Sequence, residues 1–349
     1  MRKAICTFGV TVLAVTGFGL AGMPQSADAQ TVEGPKISWR FSSWGQRRSV
    51  TEGMEYIVSE LNRRTNGNFQ IKMHYGEALS QAKENLDGIS VGAFETAYFC
   101  GSFHPAKHKP LNVLDLPFLP LSDLDTMYDV HLKVYEHPAV AAALAKWNAF
   151  LFMPNVLPQF EIMGRGKAPQ VVGDFKGMRV SLPGVIGRAL GKVGITLSSL
   201  TAPETYTALE RGTIDAVSFP YSYTFAAYKT DQIANWVTTN MSIGTIVCPT
   251  VIGRKHWDAL PPQYKDLLLG LRRAAHERIR DEYLKVDKIN EANWTKKGIK
   301  LIKLPQSQLE EFRRVAGKPI WEEWVAENKG EFDAQGLLDL VLAAAAGKK

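Results

Sequence analysis

Cysteine is scarce in this 349-residue chain, which contains only Cys6, Cys100 and Cys248. Cys6 sits in a leader-like N-terminus, so a scaffold stapled by several disulfides is excluded. One bridge between Cys100 and Cys248, or two buried free thiols, remain as alternatives. Long apolar runs are just as scarce: past the first thirty residues none is long and apolar enough to cross a bilayer. Charge of one sign is nowhere concentrated, although the net charge is +6. Arg272, Arg273, Arg278 and Arg280 alternate with Glu277, Asp281 and Glu282, the pattern of a solvated helix face. Without a basic stripe carrying interleaved aromatics, no nucleic-acid partner is expected.

Reactive constellations are missing too. The chain has no Gly-x-Ser-x-Gly elbow, no phosphate-loop lysine and no His-Glu-x-x-His. Gly184, Gly187 and Gly191 follow a strand but lack the tight Gly-x-Gly turn that lets a pyrophosphate approach the backbone. His104 and His108 are four apart, yet Pro105, Lys107 and Lys109 around them favour a solvated loop over a metal pair. The expectation is a protein that binds without turnover, with no cofactor and no metal.

What is present begins with an address. Arg2 and Lys3 precede an apolar, small-residue run from Ala4 to Ala21, and Ala27-Asp28-Ala29 supplies a cleavage site before Gln30. Residues 1–29 are therefore expected to be a secretory signal peptide, removed on export to the periplasm. Roughly 320 residues remain, enough for two domains with separate cores.

Along the mature chain, Ile37 to Ser42 reads as a strand. Ser49 starts a helix with Met54, Ile57, Val58 and Leu61 on one face. After the Thr65-Asn66-Gly67 stop come a strand from Phe69 to Tyr75, a helix from Ala82 to Val91 and a strand from Glu95 to Phe99. That is the wiring of a parallel α/β sheet. A weak internal repeat follows: Gly92 to Phe99 matches Gly212 to Phe219, with a helix-ending glycine, an acid three residues on, and a strand running to a phenylalanine. Two lobes on one plan would set both strand ends beside a shared cleft. Pro261 to Lys297 reads as one helix of roughly 50 Å, long enough to brace both lobes. A strand from Ile299 to Leu304 and helices over Glu310 to Ala326 and Ala334 to Ala345 complete the chain.

The stretch from Asp174 to Pro220 carries the most information. Lys176-Gly177 turns into a strand, Met178 to Leu182, stopped by Pro183 and Gly184. Pro203 and Glu204 open a helix with Tyr206, Ala208 and Leu209 that ends at Gly212, and a strand follows from Ile214 to Phe219. Together with Leu114 to Leu119 and the Trp257-to-Pro261 step, this order resembles the DctP-like solute-binding receptors of tripartite ATP-independent periplasmic (TRAP) transporters. The resemblance implies a two-lobed α/β periplasmic binding protein (type II-like) with crossing strands and a long bracing helix. On that plan lobe I takes residues 30–155 and 248–260, lobe II takes 156–247 and 299–345, and 261–298 bridge them. It also implies a monomer that delivers a small solute to a TRAP permease.

Members of that family usually hold a carboxylate with an arginine fork. The matching positions here are Ser181 and Glu161, and Phe219 stands where the family often has asparagine. The resemblance therefore points to an apolar, aromatic or amine-bearing solute. It would lie between Trp44, Phe99, Phe103, Phe219 and Tyr221, with Glu161 and Ser181 as polar contacts. A further aromatic, Tyr223, follows Phe219. A carboxylate held by a shifted arginine, Arg165, and an exported enzyme using the interlobe cleft are the alternatives.

Overall fold

The alternation of helix and strand periods builds two separate β-sheets. The computed structural model describes residues 31–121, 123–182 and 184–347, together with Met1. The leader, the cleavage site before Gln30, Pro183 and the Lys348-Lys349 tail lie outside the described residues. The strands are β1 (Ile37–Ser42), β2 (Phe69–His74), β3 (Thr96–Tyr98), β4 (Ala149–Met153), β5 (Phe160–Gly164), β6 (Arg179–Ser181), β7 (Thr196–Ser198), β8 (Ala216–Pro220), β9 (Trp236–Thr238), β10 (Thr250–Gly253) and β11 (Lys300–Ile302). The helices that concern the site are α1 (Glu52–Arg64), α2 (Asn85–Val91), α3 (Leu124–Tyr135), α4 (Pro138–Ala145), α5 (Gly187–Lys192), α6 (Thr205–Glu210), α7 (Tyr223–Ala227), α8 (Arg254–Asp258) and α9 (Pro262–Lys296), followed by α10 (Gln306–Ala316), α11 (Lys318–Asn328) and α12 (Ala334–Ala346).

One sheet has the order β2-β1-β3-β10-β4 and the other β11-β9-β5-β8-β6-β7. In the first, β1 runs parallel to β2 and β3, while β10 is antiparallel to β3 and β4. In the second, β6 runs parallel to β7 and β8, and β5 is antiparallel to β8 and β9. The chain passes from the first sheet to the second between β4 and β5, and returns between β9 and β10. These crossings lie side by side: the Phe160 amide donates to the Gly244 carbonyl at 2.8 Å, and Asn155 Nδ2 donates to the Cys248 carbonyl at 3.0 Å. The fold is the expected two-lobed α/β arrangement.

The internal repeat has a physical basis. Gly92 and Gly212 both end their helices with positive φ, 74° and 70°, a conformation glycine adopts at no steric cost. Glu95 then accepts from the Arg40 backbone amide and guanidinium on β1, and Asp215 does the same for Arg179 on β6. Each acid thus pins the next strand to its parallel neighbour.

The long helix forms as read, 35 residues opened by Pro261 and Pro262. The expected helix over Glu310 to Ala326 is instead two, α10 and α11, broken at Gly317. Pro319 has no amide hydrogen to continue the first helix, and a β-carbon on Gly317 would stand 2.6 Å from the Arg313 carbonyl oxygen. The terminal segment expected in lobe II also divides. α10 packs on α5, whereas α12 packs on α3 beside the first sheet.

Candidate functional site

Between the sheets lies a cavity with about 60 Å³ of free volume, room for roughly four to six water-sized groups. Trp44, Arg48, Val50, Tyr98, Cys100 and Phe103 line it from the first sheet's side. Leu157, Phe160, Ile246 and Cys248 line it from the crossings, and Leu200, Ala202, Ser218, Phe219, Pro220, Tyr223, Thr224 and Tyr228 from the second sheet's side. These residues cluster beyond the carboxyl ends of β1, β3, β7 and β8, where open α/β sheets place their ligands.

The walls are mostly apolar and aromatic. Trp44 meets Phe103 and Tyr98 edge-on, with centroids 6.1 and 5.8 Å away, and Cys100 and Cys248 are joined as a disulfide. Among the described residues the one cation in the lining is Arg48. Its backbone is fixed where the chain enters α1: the Arg48 amide donates to Thr51 Oγ1 at 3.0 Å, and the Thr51 amide donates back to the Arg48 carbonyl at 2.8 Å. The guanidinium centre lies 5.3 Å from the Trp44 ring and 6.0 Å from the Tyr228 ring, within cation–π range. Its Nη1 donates to the Gln46 carbonyl at 2.8 Å, and it forms no ion pair among the described residues, whereas neighbouring Arg47 is tied to Glu52. Burial works against the Arg48 charge, but the hydroxyls of Tyr228, Tyr223, Tyr98 and Tyr283 around it favour that charge, so its pKa stays above the ordinary arginine value. The buried Tyr228 hydroxyl has no hydrogen-bond partner. An unpaired guanidinium beside an unused hydroxyl is a donor set for an anion.

Gly45 makes this geometry possible. A β-carbon there would stand 2.3 Å from Arg48 Nη1 and 2.6 Å from the Tyr228 hydroxyl. Gly45→Ala is expected to displace both groups and lower anion affinity roughly tenfold, about 1.4 kcal/mol. Calorimetry on the folded variant checks this, and unchanged affinity would show that neither group holds the ligand.

Of the residues expected to form the site, Trp44, Phe103 and Phe219 line the cavity. Phe99 does not: strand alternation turns Tyr98 and Cys100 to the cavity, and Phe99 packs on His104 and His108. Those histidines are buried rather than in a solvated loop, and burial pushes both down to about 4. The Glu161 carboxylate is buried away from the cavity. It accepts from Thr238 Oγ1 at 2.6 Å and from the Met241 and Ser242 amides at 3.1 and 2.9 Å. Burial pushes it up to about 7, so it serves the β9-to-β10 crossing and leaves no acid for an amine. Ser181 is buried between Val217 and Ser198 in the sheet. Arg165 is exposed and caps α6, donating from Nη1 to the Leu209 and Glu210 carbonyls at 2.7 and 2.9 Å, as basic residues do at helix C-termini. Tyr221 donates to Glu291 at 2.6 Å and lies edge-on to Trp294, on α9.

Sequence reasoning missed Arg48, Tyr98 and Tyr228, whereas Tyr223, which follows Phe219, is among the aromatics it offers. One signal was available for Arg48. It is a basic residue at the entry to a helix, against the dipole. Among the described residues no cluster of three His, Cys, Asp or Glu forms a metal site, and no helix is long and apolar enough to cross a membrane.

Asp115 is buried near the contact between lobes. Its Oδ1 accepts from the Val247 amide at 2.6 Å and its Oδ2 has no partner. Burial pushes its pKa up to about 8. A carboxyl raised in the folded state contributes full stability below its unfolded value, near 4, and loses it as pH rises through about 8. Asp115→Asn keeps the acceptor and cannot ionise. Its stability is expected to match wild type near pH 3, to exceed it progressively above about pH 4, and to level off above about pH 8. Parallel stability–pH curves for the two proteins would refute the assignment.

Two sheets with a largely aromatic cavity between them define a two-lobed ligand-binding protein. The sequence model described as bacterial extracellular solute-binding protein, family 7, matches residues 41–328, and the chain belongs to that family. It is similar to the monocarboxylate 2-oxoacid-binding periplasmic protein of Nostoc sp., with 22% identity over 326 residues, 85% of this chain and 86% of that one. In structure it resembles a TRAP solute-binding protein from Rhodoferax ferrireducens in complex with copurified benzoate. The TM-score is 0.80 at 16% identity, covering 89% of this chain and 98% of that one. A second, from Bordetella bronchiseptica with bound (R)- and (S)-mandelate, gives 0.79 at 19% identity over 90% and 100%. A third, from Roseobacter denitrificans with bound β-D-glucuronate, gives 0.75 at 18% over 88% and 99%. The chain is thus a solute-binding protein of a bacterial extracellular family, and the solved structures it resembles are TRAP solute-binding proteins.

Proposed function

We propose that this receptor captures a small organic acid with a compact apolar or aromatic body. The carboxylate rests on Arg48 and the Tyr228 hydroxyl, and the body lies among Trp44, Phe103 and Phe219. The observation that carries this reading is the guanidinium in the cavity wall, which forms no ion pair among the described residues. A fork of N–H donors in a low-dielectric cleft favours a carboxylate and opposes an amine. The acid-binding relatives from Nostoc, Rhodoferax and Bordetella support the same chemistry. The arginine alternative considered from sequence therefore returns with a different arginine, Arg48 in place of Arg165. The mature protein, beginning at Gln30, acts as a periplasmic monomer that hands the acid to its permease.

Thermal-shift measurements with matched pairs, such as phenylacetate and benzylamine, test this directly. A bound ligand at a hundredfold excess over Kd stabilises by ~2.7 kcal/mol. The acids are expected to raise Tm and the amines to leave it unchanged. Stabilisation by the amines alone would sink the proposal.

A further inference from the structure

The wall formed by Arg48 and Tyr223 is shared. On its far side lies a second, larger space of about 430 Å³, open to solvent and bordered by α1, α7 and α9, with Ser49, Glu52, Ala227, Glu282 and Asn290 among its lining residues. The inner cavity offers only about 60 Å³. Resting on the carboxylate reading above, we infer that this vestibule is a subsite for a substituent on the carbon next to the carboxylate. The subsite selects acids that carry an α-acylamino group.

The argument is one of position, then of chemistry. A carboxylate on Arg48 sits at the partition, and its α-carbon is one bond away. A substituent on that carbon that passes the Arg48–Tyr223 partition enters the vestibule, while the ring or branched chain stays inside. The inner cavity is filled by a ring-sized group, so further bulk has to go outward. The vestibule then selects what it accepts. Arg47 and Glu52 satisfy each other at 2.8 and 2.9 Å, and Glu282 accepts from Lys285 Nζ at 3.2 Å, so these charges are already matched and neither calls for a charged substituent. Asn290 Nδ2 donates to Ser222 Oγ at 3.2 Å, leaving its carbonyl oxygen as an acceptor for an N–H. An uncharged amide meets each of these conditions.

Calorimetry with phenylacetate and N-acetylphenylglycine on wild type and on Ala227→Trp, which fills the vestibule, tests the subsite. Wild type is expected to bind the N-acetyl acid at least tenfold more tightly than phenylacetate, and Ala227→Trp to reduce that ratio below twofold. Asn290→Ala, which keeps the space and removes the acceptor, is expected to lower the ratio about threefold or more. Phenylacetate binding with a wild-type ratio near one, or a ratio that survives Ala227→Trp, overturns the subsite and leaves the carboxylate reading standing. Binding of neither acid overturns both.

Discussion

Arg48→Met is expected to weaken binding of a carboxylate solute by about 2–5 kcal/mol, the usual loss when one partner of a buried, hydrogen-bonded charge pair is removed. Methionine keeps an apolar stem against Trp44 and Tyr228 while discarding the fork. Arg48→Lys keeps the charge but not the planar pair of donors, so it is expected to recover only part of the loss. The unliganded protein should respond little. Arg48 lies in an aromatic wall with no acid beside it among the described residues, so the desolvation cost that methionine removes and the cation–π contacts that it loses oppose each other, and the apo Tm should stay near wild type. Loss of affinity together with an unchanged apo Tm separates a binding role from a folding one. A Kd within about threefold of wild type would remove Arg48 from the site.

The fold was legible because it rests on local periods and on punctuation. Ile37 to Ser42 is the strand that was read, the long helix starts within a residue of the predicted proline pair, and the repeated glycine–acid–strand joint marks both lobes. The helix break at Gly317 was missed because the apolar period runs straight through it, and Pro319 decides the matter. The site was harder to read. Phe99 fell one residue out of phase, and in a strand one residue is the whole difference between two faces. Glu161 and Ser181 were chosen by their place along the chain, but their partners, Ser242 and Ser198, come from other segments. Arg48 drew no attention because Tyr223 and Tyr228, which give it meaning, follow about 180 residues later. A constellation assembled across two lobes leaves no spacing in the sequence to find.

The bridge between Cys100 and Cys248 allows a second large effect. It closes 148 positions of chain, and a cross-link of that span limits the unfolded ensemble by about 2–5 kcal/mol in typical measurements. The folded state depends on it less. The Phe99 amide donates to the Pro249 carbonyl at 3.0 Å and the Gly101 amide to the Val247 carbonyl at 2.8 Å, so both flanks are held by backbone bonds in any case. The double variant Cys100→Ala, Cys248→Ala is therefore expected to fold to the same structure and unfold at lower denaturant. Its m-value should be larger, because an unbridged chain exposes more surface on unfolding. Both sulfurs line the cavity, so the same variant widens the cavity and should loosen a tightly fitting aryl acid several-fold while sparing the preference for acid over amine. Denaturant titration reads the first effect and calorimetry the second. Two thiols that titrate freely in unreduced wild type, with the double variant as stable as its parent, would mean that the bridge does not form in the folded protein. The cavity wall there would then consist of two small apolar side chains that play no part in limiting the unfolded chain.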